Sequence, residues 1–232
     1  MINGIRITDF HSHILPCADH GSDSAATSQR QIELLTGAGA DRIVATPHFY
    51  PSEITVGEFL ALRERCAEAL FGASEGPLPE ILMGAEVLVC PGLEEMEGLR
   101  HLCIEGTDTI LLEMPFGEWS EPLIETVGRI KRLGLDPVMA HIDRYYDKPV
   151  GRLFEEGIPC QINASALVSR RGRGWLLDLI GEGRACAIGS DIHGADRGCA
   201  KNFIRACRFL GKELYGMMEK TDSLLRGAKV HM

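Results

Sequence analysis

Long apolar runs are missing from this chain. No window approaches roughly 18 consecutive apolar residues, which excludes a conventional membrane-spanning helix. An apolar signal-peptide core is missing too, since Met1-Ile2-Asn3-Gly4-Ile5-Arg6 leads straight into strand-like alternation. The eight cysteines are scattered with no C-x-x-C pair, so they are expected to be reduced and mostly buried thiols. Together these absences predict a cytoplasmic protein. Positive charge is in deficit: 24 Lys and Arg stand against 33 Asp and Glu, a net charge of −9. That balance argues against nucleic acid as a partner and against direct membrane insertion or a coat on an anionic membrane. There is no Rossmann glycine fingerprint, no internal repeat, no low-complexity tract and no Pro- or Gly-rich linker. Residues 72–79 carry glycine and proline but read as a loop, so 1–232 is expected to be a single domain.

The residues present suit a large core, with 45% hydrophobic and 25% charged. Short β-branched runs at 5–11, 42–46, 80–87, 109–113, 136–141, 158–163 and 185–190 read as strands. Amphipathic stretches at 27–37, 56–71, 121–133, 151–156, 175–183, 198–211 and 217–226 read as helices. Alternation of this kind predicts an α/β fold with a parallel sheet. Seven strands without a dinucleotide motif favour a barrel over an open doubly wound sheet.

Histidine placement is the functional signal. His11 and His13 follow the first strand, His20 lies in the next loop, His48 follows the second strand, His141 ends the fifth and His193 follows the seventh. Glu86, Glu113 and Asp191 each end an apolar run. In βα barrels the site is assembled at the C-terminal strand ends, so these groups can converge from distant positions. Imidazole and carboxylate together suit Zn²⁺, Mn²⁺ or Fe²⁺. His11 and His13, two apart on a strand, point to one face, and Asp9 shares it as a ligand or as an acceptor for an imidazole N–H. Any one of these histidines alone reads as an ordinary surface or core residue. Burying so many ionisable groups without a metal would cost several kcal/mol each. The number of candidate donors exceeds what one ion needs.

Segments DFHSHILP (9–16), IVATPHFYP (43–51), GAEV (84–87), LLEMPF (111–116), MAHIDRY (139–145), QINAS (161–165) and GSDIH (189–193) occur in the order and spacing of a known family. The chain resembles the PHP (polymerase and histidinol phosphatase) superfamily, and within it the bacterial tyrosine phosphatases encoded with capsular and exopolysaccharide genes. The resemblance implies a distorted seven-stranded (β/α)7 PHP-type barrel holding two to three divalent ions, often Mn²⁺, with Fe²⁺, Zn²⁺ or Mg²⁺ as alternatives. It implies His11, His13, His48, Glu86, Glu113, His141, Asp191 and His193 as ligands, and Arg144 as a catalytic, phosphate-binding arginine. Two positions depart from the family pattern. His20 stands where a ligating aspartate is common, so that either His20 or Asp19 fills the role or one metal position is weak. Arg197, the candidate second phosphate clamp, is four residues past the SD-x-H motif instead of about five.

The chemistry that follows is hydrolysis of a phosphomonoester by a metal-activated hydroxide, and the resemblance implies phosphotyrosine as that ester. The pKa of bound water falls from 15.7 to about 7 in such sites. A phenolate leaving group, with a pKa of about 10, needs little help from an acid, although Asp196 or His20 can supply a proton. The resemblance implies a phosphotyrosine protein as partner, such as the C-terminal tail of a bacterial tyrosine kinase. Phe49, Tyr50, Phe116, Trp119, Tyr145 and Tyr146 follow the strand-end motifs and are candidates to pack on a phenyl ring. Three rival readings remain: a PHP phosphatase of a small metabolite such as histidinol phosphate, a metal-containing ligand-binding module, and a cysteine phosphatase using Cys199 and Arg205 in a C-x5-R spacing. The last lacks the glycine-rich phosphate loop and falls in a predicted helix.

Overall fold

The computed structural model describes residues 5–74 and 76–231. Residues 1–4 of the opening segment, Glu75 of the loop at 72–79 and the final Met232 lie outside the described residues. The strands are β1 (Thr8–Ser12), β2 (Arg42–Ala45), β3 (His48–Phe49), β4 (Glu80–Met83), β5 (Glu86–Leu88), β6 (Thr109–Glu113), β7 (Asp136–Met139), β8 (Cys160–Asn163) and β9 (Ala185–Gly189). The helices are α1 (Ala25–Gly37), α2 (Val56–Ala73), α3 (Glu121–Arg132), α4 (Gly151–Glu155), α5 (Ala164–Val168), α6 (Arg173–Gly181), α7 (Arg197–Leu210) and α8 (Glu213–Leu224). Every ladder between these strands is parallel, in the orders β1-β2-β4 and β3-β5-β6-β7-β8-β9.

Nine strands stand where seven are predicted: the predicted run 80–87 divides into β4 and β5, and β3 is a two-residue strand beyond the end of the predicted run 42–46. The break after Ala45 separates β2 from β3, and the break at Gly84-Ala85 separates β4 from β5. Amides of Gly84 and Glu86 still donate to the carbonyls of Ala45 (2.8 Å) and Pro47 (3.0 Å), carrying the pairing across both breaks. On the other side, the Asp191 amide donates to His11 O at 2.9 Å and the His13 amide to Ile192 O at 3.3 Å. These bonds close the ring. The fold is a distorted parallel α/β barrel.

Alternate strand residues face two apolar layers. Ile43, Ile81, Ile110 and Leu112 pack outward among Phe59, Leu123, Val127 and Phe203 of the helices. Phe10, Val44, Leu82, Leu111 and Val138 fill the interior, with Leu225 packed against them just past α8. Period-2 alternation then carries Glu86, two steps beyond Gly84, and Glu113, two beyond Leu111, inward at the upper rim. The helix starts use local caps. Ser24 accepts from the Thr27 amide, Thr55 and Glu58 form a reciprocal capping box, and Asp196 accepts from the Gly198 amide. No helix among the described residues is long and apolar enough to cross a membrane.

Candidate metal centre

The upper rim gathers the strand-end groups into one cluster. His11 Nε2 lies 3.1 Å from His13 Nε2 and 3.2 Å from Glu86 Oε2. His13 Nε2 is 3.3 Å from Glu86 Oε2 and 3.4 Å from Asp191 Oδ1. His48 Nδ1 approaches Glu86 Oε2 to 3.0 Å, and His141 Nε2 lies 2.7 Å from Glu86 Oε1 and 3.4 Å from Glu113 Oε1. His193 Nδ1 is 3.6 Å from Asp191 Oδ1. His11, His13, His141 and Glu86 are essentially inaccessible to solvent.

This arrangement fits divalent cations. Ligand bonds of about 2.0–2.2 Å give a coordination polyhedron with edges of roughly 3 Å, which is the spacing found between these donors. Three sets have mutually close ligand atoms: His13, His48 and His193; His11, His13 and Asp191; His48, Glu86 and Glu113. His48 Nδ1, Glu86 Oε2 and His193 Nε2 are buried with no hydrogen-bond partner, a costly state that a bound cation would relieve. The electrostatics agree. Burial opposes ionisation of Glu86, yet the neighbouring His11, His13 and His141 hold its carboxyl well below the usual range. Burial also opposes charge on His13, but Asp19, Asp191 and Glu86 outweigh it and push the ring well above its ordinary value. His193 goes the other way, down to about 4, through burial and the facing His13.

Orientation is set from behind. Asp19 Oδ2 accepts from His13 Nδ1 at 2.7 Å and from the His48 amide at 2.9 Å, while its Oδ1 accepts from the Gly21 amide at 2.8 Å. Asp19 therefore faces the back of His13, and its carboxyl is held far below its ordinary range despite burial. The exposed His20 ring stacks 4.9 Å from His48 and 4.7 Å from His193, and belongs to none of the three donor sets. Gln161 Oε1 lies 3.2 Å from His11 Nδ1 and accepts from the His141 amide at 2.6 Å. Its Nε2 donates to Asn163 Oδ1, and Asn163 Nδ2 donates to Asp191 Oδ2 at 2.9 Å. Gln31 Nε2 spans the carbonyls of His13, Gly21 and Ile192. Sequence reasoning gave no role to Gln161, Asn163 or Gln31. The only signals available were the QINAS segment and a polar residue on the buried face of α1.

Two donors sit on unusual backbone. His141 and Asp191 have φ of 29° and 52°, conformations that side chains other than glycine rarely adopt. Gly189 and Gly21 are needed for close approach. An added Cβ would fall 2.6 Å from His11 Cβ at the first and 2.1 Å from His13 Cβ at the second.

Asp9 departs from its expected position. The register between β1 and β2 slips between Asp9 and Ser12, so simple alternation does not keep Asp9 with His11 and His13. Its Oδ1 accepts from the Ser190 amide at 2.7 Å and from the His11 amide at 3.4 Å, and it makes no ion pair with an imidazole. Burial lifts its own pKa to about 6, and the Cys199 and Cys207 thiols on α7 are raised chiefly by burial, with a lesser contribution from the Asp9 carboxylate.

Arg144 closes the cluster's edge, paired with Asp191 and 3.8 Å from Glu113 Oε1. Arg197 is exposed on the first turn of α7, with no ion pair among the described residues. Phe49, Trp119 and Tyr145 are buried packing groups. The Tyr145 hydroxyl lies against Met114, accepting from its amide and donating to its carbonyl. Tyr50 stacks on His48 at 5.2 Å, and Phe116 and Tyr146 are exposed. Cys199 lies inside α7, its thiol pushed up to about 12 chiefly by burial, and residues 199–205 form helix with no phosphate loop. That geometry is wrong for a thiolate nucleophile.

A parallel α/β barrel with an imidazole–carboxylate centre at one rim is the arrangement of PHP-type metalloenzymes. Residues 7–227 match the family model "Capsular polysaccharide synthesis, CpsB/CapC", and the chain belongs to that family. The tyrosine-protein phosphatase CpsB of Streptococcus pneumoniae is 28% identical over 168 residues, 67% of each chain. CpsB of Streptococcus agalactiae serotype V is 24% identical across 94% of this chain and 98% of its own. A solved structure from work on YwqE of Bacillus subtilis and CpsB of S. pneumoniae, described as metal-dependent tyrosine phosphatases, superposes with a TM-score of 0.77. That match has 22% identity and covers 97% of this chain and 96% of the other.

Proposed function

We propose that this protein is a metal-dependent phosphomonoesterase acting on phosphotyrosine in proteins, in the control of capsular or exopolysaccharide synthesis. The observation that carries this reading is the buried cluster of His11, His13, His48, Glu86, Glu113, His141, Asp191 and His193 beside a guanidinium. Two or three divalent ions, Mn²⁺ foremost, would be held by the three donor sets, with His141 completing the Glu86–Glu113 side. Bound there, such ions neutralise phosphoryl charge and activate water near neutral pH.

The chain's own residues supply the rest. Asp19 and Gln161 fix the ring orientations of His13 and His11. Arg144 offers a planar fork to phosphoryl oxygens, and Arg197 is a candidate second clamp. Tyr50, stacked on His48, offers an aromatic face beside the cluster. His20, exposed and stacked on His48 and His193, is better placed to protonate the departing phenolate than Asp196, whose carboxylate caps α7. A single domain, a cytoplasmic location and a kinase tail as physiological substrate belong to the same proposal. All eight cysteines are free, which suits a reducing compartment.

The test is turnover of p-nitrophenyl phosphate and a phosphotyrosine peptide with Mn²⁺, abolished by a chelator. Arg144→Ala is expected to lower kcat/KM by about a hundredfold, and Cys199→Ala to leave it nearly intact. A large preference for histidinol phosphate, or loss of activity in Cys199→Ala with metal still bound, would overturn the assignment.

A further inference from the structure

Beside the centre, and sharing Arg144 with it, lies a second cavity of about 830 Å³ whose lining includes Arg144, Tyr146, Ser165, Ser169, Arg171 and Trp175. Its character differs from that of the cluster. Tyr146 is 68% exposed, yet it is fixed edge-on against Trp175 with ring centroids 5.4 Å apart. The two rings form a standing aromatic wall. Arg171 is exposed on the loop between α5 and α6, which is braced by its own amide donating to Ser169 Oγ. Its guanidinium has no ion pair among the described residues. Neighbouring Arg170 is exposed and equally unpaired, and Arg173, Arg205 and Arg208 line the next depression beyond the loop. The lining also carries Asp143, whose carboxylate accepts from the Asn163 amide, and Asp147, 3.9 Å from Lys148 Nζ, so among the described residues the Arg171 guanidinium is the charge of the lining left without an ion pair or hydrogen bond. The cavity sits one side chain away from the phosphoryl-binding position.

We propose that this cavity seats the residues flanking the phosphorylated tyrosine, with Arg171 selecting an acidic side chain and the Tyr146–Trp175 wall holding the extended peptide. The proposal rests on the phosphotyrosine phosphatase reading and adds the substrate class: acidic-flanked phosphotyrosine segments. Exposed rigid aromatics contribute contact area at low entropy cost, and an unpaired guanidinium supplies charge selection. Arg144 joins the two subsites, so a tyrosine held at the cluster places its neighbours in the cavity.

The experiment compares kcat/KM of the Mn²⁺-loaded protein for p-nitrophenyl phosphate and for two phosphotyrosine peptides, flanked by Glu or by Lys. Wild-type protein is expected to prefer the Glu peptide by about tenfold or more, chiefly through KM. Arg171→Glu is expected to keep p-nitrophenyl phosphate turnover within about twofold and to reverse the peptide preference. Trp175→Ala should raise KM for both peptides and leave the small ester unaffected. Equal use of the two peptides by wild type, or an equal loss on all three substrates in Arg171→Glu, would overturn the subsite. Failure of wild type to hydrolyse p-nitrophenyl phosphate with any divalent metal would instead sink the phosphatase reading beneath it.

Discussion

Gln161 shows how much of the centre depends on residues that never reach a cation. One amide oxygen meets the His11 ring and the His141 backbone, and the other end of the group leads through Asn163 to Asp191. Three strand ends are thereby tied to one side chain. Gln161→Leu keeps similar bulk and removes both ends of that link. The expected result is a 10- to 100-fold loss of metal affinity or activity, read by Mn²⁺ titration alongside p-nitrophenyl phosphate turnover. Unchanged affinity would show that the His11 ring is held by packing alone. The histidines themselves were legible from their strand-end positions. Gln161 was not, because a buried amide carries no signature until its partners are known. Asp9 misled for a related reason: strict alternation puts it beside His11, and a one-residue slip in β1 places its carboxylate elsewhere.

Among elements, the long strands and helices follow their sequence patterns closely. β6 is read to the residue, and α1, α2, α3 and α7 fall within two residues of expectation at each end. The failures have local causes. The short α5 lacks the length for a 3.6-residue period to show, β3 is only two residues long, and the breaks at 46–47 and 84–85 end β2 and β4 although backbone hydrogen bonds still span them. Those breaks matter, because they turn His48 and Glu86 onto the rim. Close approach between β1, β8 and β9 is equally invisible in a hydrophobic pattern, yet it sets Gly189. Gly189→Ala would drive a Cβ into His11 and the Gln161 amide, both 2.6 Å away. It is expected to cost about 1–3 kcal/mol of stability and to lower Mn²⁺ affinity. Gly174→Ala is the control, since its Cβ meets open space. Thermal denaturation and metal titration of the two variants check this, and equal behaviour would refute it.

For the whole molecule, charge and metal are linked through stability. In metal-stripped protein, burial opposes charge on His141, but Glu113 and Glu86 prevail and raise its pKa from 6.5 to about 9. A raised folded-state pKa stabilises fully below the unfolded value and loses that contribution as pH rises through the folded one. The Tm of stripped protein should therefore fall as pH is raised from 6.5 to about 9. In the ligand role proposed above, the ring would be neutral in loaded protein, so this term would be absent and the Tm is expected to stay higher and flatter. Calorimetry with and without chelator across that window measures the difference, and parallel curves would exclude His141 as a ligand.

The seam that closes the barrel has a kinetic meaning as well. The bond from Ser190 to Asp9 joins residues 181 positions apart, and the neighbouring backbone bonds tie Asp191 and Ile192 to His11 and His13. Contacts at such separation form slowly, because the intervening chain must be ordered before they return any free energy. Half of the donors stand on this one seam. A nascent or partly folded chain thus offers no complete cradle, and the capacity to capture metal reports that the ring has shut.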